Sequence, residues 1–144
     1  MNRNTISPLI FMLEQDPDDQ HLTEAVAKET GYNINFRFFN DHIIFFKELS
    51  EAQELPKIII LNYNIIPGNV IQVLHLLKSN FRYLRIPVIV LSDSASPAEI
   101  QDTYLYGASS FITKPFTNND TVNKISGFLN YWFNVVELPS NPII

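Results

Sequence analysis

The chain of 144 residues contains no cysteine. That excludes disulfide staples, thiol nucleophiles and thiolate metal sites. Glycine is scarce, with four residues, and no Gly-rich run leads into a Lys, so "PGN" near Gly68 is a turn and not a phosphate loop. Basic residues are few and scattered: 10 Lys and Arg stand against 15 Asp and Glu, for a net charge of −5. Sequence-unspecific nucleic-acid binding needs clustered Lys and Arg, so no nucleic-acid partner is expected. No apolar run is long enough to cross a bilayer, and "MNRNTISPLIFML" has too short an apolar stretch, ended too early by an acid, for a secretory signal. No membrane partner and a cytoplasmic location are expected. There is no "GxSxG" and no Ser-His-Asp order, and His21, His42 and His75 lie on separate helical segments without shared spacing. No nucleophile–base pair is visible, so the chain is not expected to be an enzyme. What is present is globular composition, 46% apolar and 17% charged, in a length suited to a single domain spanning 1–144.

The apolar pattern alternates between two periods. "PLIFML", 8–13, reads as a buried strand. Pro17 ends it, Asp18 or Asp19 caps a helix running to about Thr30, and Gly31 closes that helix. "NINFRFF", with Ile34, Phe36 and Phe38 alternating, predicts a second strand, and "DHIIFFKELSEA" a helix capped by Asn40 or Asp41. Pro56 leads into a third strand, Lys57 to Leu61, followed by Val70, Ile71, Val73, Leu74 and Leu77 at helical spacing. Pro87 introduces a fourth strand, "VIVLS". "SPAEIQDTYLYGA" is a helix with Ser96 as cap and Pro97 at its first position. "SSFITKP" is a fifth strand, "TNNDTVNKISGFLNYWFNVV" a long final helix, and 137–144 a short tail beyond a core of about 8–136. Five strand–helix units whose strands are apolar on both faces predict an α/β fold: a five-stranded parallel sheet, (βα)5 and flavodoxin-like, with helices on both faces. There is no internal repeat or low-complexity segment.

In such folds ligands sit beyond the carboxyl ends of the strands, which directs attention to Glu14 and Gln15, Asn62, Ser92 and Lys114. Singly, each has an ordinary structural reading. Asn62 is a turn residue after a strand, "DPDD" supplies acids to a helix N-terminus, Ser92 is a cap in "SDSASP", and Phe111 is a core strand residue. Together, "IFMLEQDPDDQ", "IIILNYN", "IPVIVLS" and "GASSFITKPFT", with the spacing from Asn62 to Ser92 and Lys114, make a pattern. From about Pro8 to Val136 it resembles the CheY-like receiver domain of bacterial response regulators.

The resemblance implies a role in two-component, or phosphorelay, signalling. In that family an aspartate ending strand three accepts a phosphoryl group from a histidine kinase, two acids after strand one help hold magnesium, and a hydroxyl and a lysine contact the phosphoryl oxygens. Lys114 matches the lysine and Pro115 the proline after it, which the family precedes with a cis peptide bond. Ser92 matches the hydroxyl, Phe111 the aromatic switch without a phenol oxygen, and Glu14 the first acid. Gln15 falls where the second acid is expected and Asn62 where the phosphoacceptor is expected; Asn64 belongs to the same degenerate pocket. The loop proline comes one position late, as Pro67 after Ile66.

These departures decide the expected chemistry. A carboxylate attacks phosphorus with an anionic oxygen, whereas Asn62 offers a neutral amide oxygen and an NH2 donor, and forms no stable acyl phosphate. With Glu14 the only remaining pocket acid, its charge and that of Lys114 sum to zero. Each lost carboxylate removes attraction for a divalent ion of about several kcal/mol at an effective dielectric of ~20. Magnesium binding is therefore expected to be weak or absent, with no other cofactor. Lys114 is expected to pair with Glu14 and to use the Asn62 carbonyl as a second acceptor. Asp16 lies just outside the family pocket; a receiver phosphorylated there instead, or a flavodoxin-like small-ligand module, are the alternatives.

The final helix carries Val122, Ile125, Leu129, Trp132, Phe133 and Val136 as one apolar stripe, expected to face the sheet. Phe128, Tyr131 and Val135 form a second stripe turned away from it, which Tyr104 and Tyr106 join. The ordinary reading is core plus scattered surface aromatics. The sharper one is a partner surface on the fourth helix, fifth strand and fifth helix, the family's usual output face, for a signalling protein such as a histidine kinase or another regulator, or for a homodimer.

Overall fold

A computed structural model describes residues 7–94, 96–114 and 118–139. The elements alternate as the sequence pattern requires: β1 (Leu9–Leu13), α1 (Pro17–Glu29), β2 (Asn35–Phe39), α2 (His42–Glu51), β3 (Ile58–Asn62), α3 (Val70–Lys78), β4 (Val88–Ser92), α4 (Pro97–Leu105), β5 (Ser110–Thr113) and α5 (Asn118–Asn130), which runs into a π-helical turn, Tyr131–Val135. The five strands pair in parallel in the order β2-β1-β3-β4-β5. The chain moves from β1 outward to β2 and then back across to β3, so the winding reverses between β1 and β3. Glu14 and Asn62 stand at that reversal, where open parallel sheets bind their ligands.

Successive strand residues point to opposite faces, and here both faces are apolar. Phe11, Leu13, Ile59, Leu61, Val88 and Val90 face a layer containing Phe45 and Leu49 of α2 and Val70, Val73, Leu74 and Leu77 of α3. Ile10, Met12, Ile58, Ile60, Ile89 and Leu91 face the other, built from Val26 and Ala27 of α1 and Ile125, Phe128 and Leu129 of α5. Each fully buried aliphatic side chain stabilises by about 1.5–3 kcal/mol, and a sheet buried on both faces concentrates such residues in β1, β3 and β4.

The local signals are used with some shifts. Asp16, not Asp18 or Asp19, caps α1: its carboxylate accepts the Asp18 N–H at 2.9 Å, and Pro17 begins the helix instead of merely ending the strand. Asp18 and Asp19 fall in the first turn. Asp41 caps α2 by accepting the Ile43 N–H at 2.6 Å, and Ser96 and Glu99 form a reciprocal capping box on α4. Gly31, at φ +84°, follows the end of α1 in the left-handed conformation that favours glycine. β3 continues through Asn62, which pairs with Leu91. In β2 the buried residues are Phe36 and Phe39, while Ile34 precedes the strand.

The expected continuous final helix instead changes pitch. Tyr131–Val135 forms a π turn closed by the Val136 N–H to the Tyr131 carbonyl at 3.0 Å. Asn134 Nδ2 donates to the Tyr32 hydroxyl at 2.5 Å and to Asn130 Oδ1 at 3.0 Å, tying this turn to the segment after α1. Phe128 does not share the outward stripe assigned to it: it is 7% exposed and packs between α5 and the sheet. One residue from Leu129 on a helix over a wide apolar sheet still falls within the inward arc. Tyr131 and Val135 do face outward, at 48% and 64% exposure.

At the opposite end of the sheet, Arg82 in the α3–β4 loop donates to the carbonyls of Leu49, Ser50 and Ala52. These are the open carbonyls at the C-terminus of α2, where a cation also complements the helix dipole.

Candidate functional site

Glu14 follows β1 directly and is fully buried, at 0% exposure. A buried carboxylate requires donors on both oxygens. Oε1 accepts from Lys114 Nζ at 2.9 Å. Oε2 accepts from Asn62 Nδ2 at 2.6 Å, from the Gln15 N–H at 2.9 Å and from the Asp16 N–H at 3.4 Å. The chain thus brings Glu14, Asn62 and Lys114 together at the ends of β1, β3 and β5, as the strand ends suggest.

Asn62 plays a different part from the expected one. Its Oδ1 accepts the Asn64 N–H at 3.1 Å and its NH2 faces Glu14, which can only accept. The amide is oriented by its two neighbours, and its carbonyl is not the second acceptor for Lys114. That acceptor is Asp19, whose Oδ2 lies 2.7 Å from Lys114 Nζ. An ammonium gains more from a charged oxygen than from an amide oxygen already engaged elsewhere. Asp93 lies 3.8 Å away on a side chain that is 72% exposed. The neutral sum expected for Glu14 and Lys114 is therefore corrected: with Asp19 included, the immediate cluster carries one net negative charge.

The ordinary reading of "DPDD" as helix-capping acids hides Asp19 as a pocket residue. A signal was available. Thr23, Val26 and Ala27 mark the buried face of α1, and Asp19 precedes Thr23 by four residues on that face. Its position in the first turn aims it back toward the strand ends.

Burial pulls the Lys114 ammonium toward deprotonation, but hydrogen bonds and charge from Asp19 and Glu14 outweigh it and hold the lysine above its ordinary range. Tyr63, one residue beyond Asn62, is also pushed up, first by burial and then by the negative charges of Glu99 and Asp102.

Gln15 turns away from the pocket. Its Nε2 donates to the Asn40 carbonyl at 3.0 Å and to the Ile66 carbonyl, and its Oε1 accepts the Ile66 N–H at 3.2 Å. One side chain thus satisfies both backbone groups of Ile66 and fastens the β3–α3 loop, which carries the cis Ile66–Pro67 peptide. Asn64 contributes its backbone N–H, and the residue itself is exposed. Ser92 is buried at the end of β4, with its hydroxyl donating to the Ser94 carbonyl and accepting the Ser94 N–H at 3.3 Å. Phe111 packs edge-on against Tyr63, with centroids 6.1 Å apart, and its N–H donates to the Tyr104 hydroxyl at 3.2 Å. Tyr106 instead meets the His75 ring of α3. Pro115 lies outside the described residues. Asp16 is committed to capping α1.

The fold family implies a divalent ion at this place, and the donor set does not fit one. Gln15, expected at the second acid position, is neutral and turned to Ile66; the Asn62 NH2 points at Glu14; and the Lys114 ammonium fills the space between Glu14 and Asp19. Among the described residues, no three His, Cys, Asp or Glu side chains are arranged to hold a metal. Nor, among them, is any helix long and apolar enough to cross a membrane.

No protein-family model matches the chain. A curated protein, response regulator Rcp1 of Synechocystis sp., is 24% identical over 137 residues, covering 92% of this chain and 93% of that protein. Among solved structures, the phosphorylated cyanobacterial phytochrome response regulator RcpA superposes with a TM-score of 0.87 at 24% identity, covering 94% of this chain and 100% of that one. A response regulator receiver domain from Rhodospirillum rubrum superposes with a TM-score of 0.83 at 27% identity, covering 94% and 99%.

Proposed function

We propose that this chain, a CheY-like receiver domain of the response-regulator type, works in two-component signalling without being phosphorylated at the usual position, as a binding module and not an enzyme. The observation that carries the reading is the Asn62 amide donating to Glu14 at 2.6 Å. The atom aimed into the pocket is a donor, with no anionic oxygen to attack phosphorus. Divalent ions bind weakly or not at all, because the lysine ammonium already occupies the space between Glu14 and Asp19.

Signalling then runs through the surface. The exposed aromatics Tyr104, Tyr106 and Tyr131, with Val135, are the proposed contact residues for a partner protein or a second copy of the chain; aromatic side chains are enriched at such interfaces. Phe128 is removed from that set by its burial. The test is intact-mass measurement after incubation with acetyl phosphate and magnesium, alongside pull-down of partners by wild type and Tyr131→Glu. The expected result is no phosphoryl adduct, with partners captured by wild type and lost by the variant. An adduct mapped to Asp16 or another acid refutes the first half, and unchanged capture refutes the second.

A further inference from the structure

We propose that the Lys114 ammonium is the resident cation of this pocket and holds, within the chain itself, the place a divalent ion takes in related folds. Two carboxylates hydrogen-bond to it, Glu14 Oε1 at 2.9 Å and Asp19 Oδ2 at 2.7 Å, and a third, Asp93 Oδ1, lies farther off at 3.8 Å. They come from the end of β1, the first turn of α1 and the loop after β4. Two of the ammonium's three N–H donors are directed at Glu14 and Asp19, and the charge of Asp93 acts from beyond hydrogen-bond distance. Its side chain is only 18% exposed, and the Glu14 side chain beneath it is 0% exposed, so the cation sits over a carboxylate that water does not reach. The covalent tether from β5 keeps it there without any dependence on ion concentration.

This role goes beyond the absence of phosphorylation and does not depend on it. It makes the pocket independent of divalent ions while leaving a latent oxygen site beneath the lysine. Remove the ammonium, and Glu14, Asp19 and Asp93 face one another without a counter-charge. Asp19 is partly exposed and Asp93 largely exposed at the rim of the pocket, and hard divalent ions take carboxylate oxygens.

The experiment is thermal unfolding of full-length wild type and Lys114→Met, each with EDTA and with millimolar Mn2+. Wild type is expected to melt at the same temperature in both. Lys114→Met is expected to melt lower in EDTA and to recover with Mn2+, its apparent affinity exceeding that of wild type by more than about a hundredfold, because a fixed positive charge no longer repels the ion. Lys114→Met/Asp19→Asn is expected to lose that gain, which assigns the ion to this pocket. A wild-type melting point that rises with Mn2+ overturns the inference. So does a Lys114→Met chain that gains nothing from Mn2+, or that stays unfolded with it, because the ion must be able to replace the ammonium. Acetyl phosphate labelling of wild type bears only on the phosphorylation reading; a wild-type Mn2+ response overturns weak divalent binding and this inference together, whereas the Lys114→Met arms bear on this inference alone.

Discussion

Asn62→Asp changes one NH2 to an oxygen of nearly the same size, so its effect is almost purely electrostatic. In the native chain that NH2 donates to Glu14 Oε2 at 2.6 Å. After substitution two anionic oxygens meet across the same gap. At an effective dielectric of ~20 and the native distance the repulsion is about 6 kcal/mol, and relaxation to ~4 Å reduces it to about 4 kcal/mol. Lys114, on the other oxygen of Glu14, offsets part of this, while the lost hydrogen bond adds about 1 kcal/mol. The expected loss of unfolding free energy near pH 8 is roughly 2–4 kcal/mol. The pair can escape the repulsion by keeping a shared proton, which the unfolded chain releases at ordinary carboxylate pH. The native state then binds more protons than the unfolded state, so stability falls as pH rises above the usual carboxylate range and is regained on acidification. Urea unfolding of wild type and variant at pH 6 and 8, both ~1.5 units or more above ordinary carboxylate values, measures this difference. A variant as stable as wild type at both pH values refutes the assigned donor role of Asn62.

Arg82→Ala should remove about 2 kcal/mol in urea unfolding with little change in m, because three terminal carbonyls of α2 lose a charged donor. For Lys114, the folded ammonium holds its proton above the ordinary lysine range, so its contribution is fully present below the unfolded lysine value. That contribution is lost as pH rises through the higher folded value. Comparing wild type with Lys114→Met, the stability difference should be flat from neutral pH to about 10 and shrink above it.

The fold was legible because its evidence is redundant. Strands such as Ile58–Leu61 and Val88–Leu91 are apolar on both faces, and helix starts are marked by Ser96-Pro97 or Asp41. Any one signal could shift, as the α1 cap did from Asp18 or Asp19 to Asp16, without changing the topology. The site was half legible. Strand ends located Glu14, Asn62 and Lys114, because parallel strands deliver their last residues to one edge. Which atom of Asn62 faces Glu14, and that Gln15 turns to Ile66, depend on side-chain torsions and on backbone groups distant in sequence. Asp19 shows a different limit: an acid in the first turn of a helix has a sufficient local role there, so its sequence context carries no sign of its bond to Lys114. On the last helix, residue spacing alone could not tell how wide the buried arc would be, and Phe128 fell inside it.

The bond between Lys114 and Glu14 joins residues 100 positions apart. Ordering so long a loop for one contact is entropically costly, so the pair forms only after the intervening strands have aligned. The clasp is therefore expected to form late on the folding route. Its loss should leave the folding rate nearly unchanged and speed unfolding, as expected of an interaction absent from the transition state. Stopped-flow folding and unfolding rates of wild type and Lys114→Met check this: faster unfolding with unchanged folding is expected, and equally slowed folding refutes it.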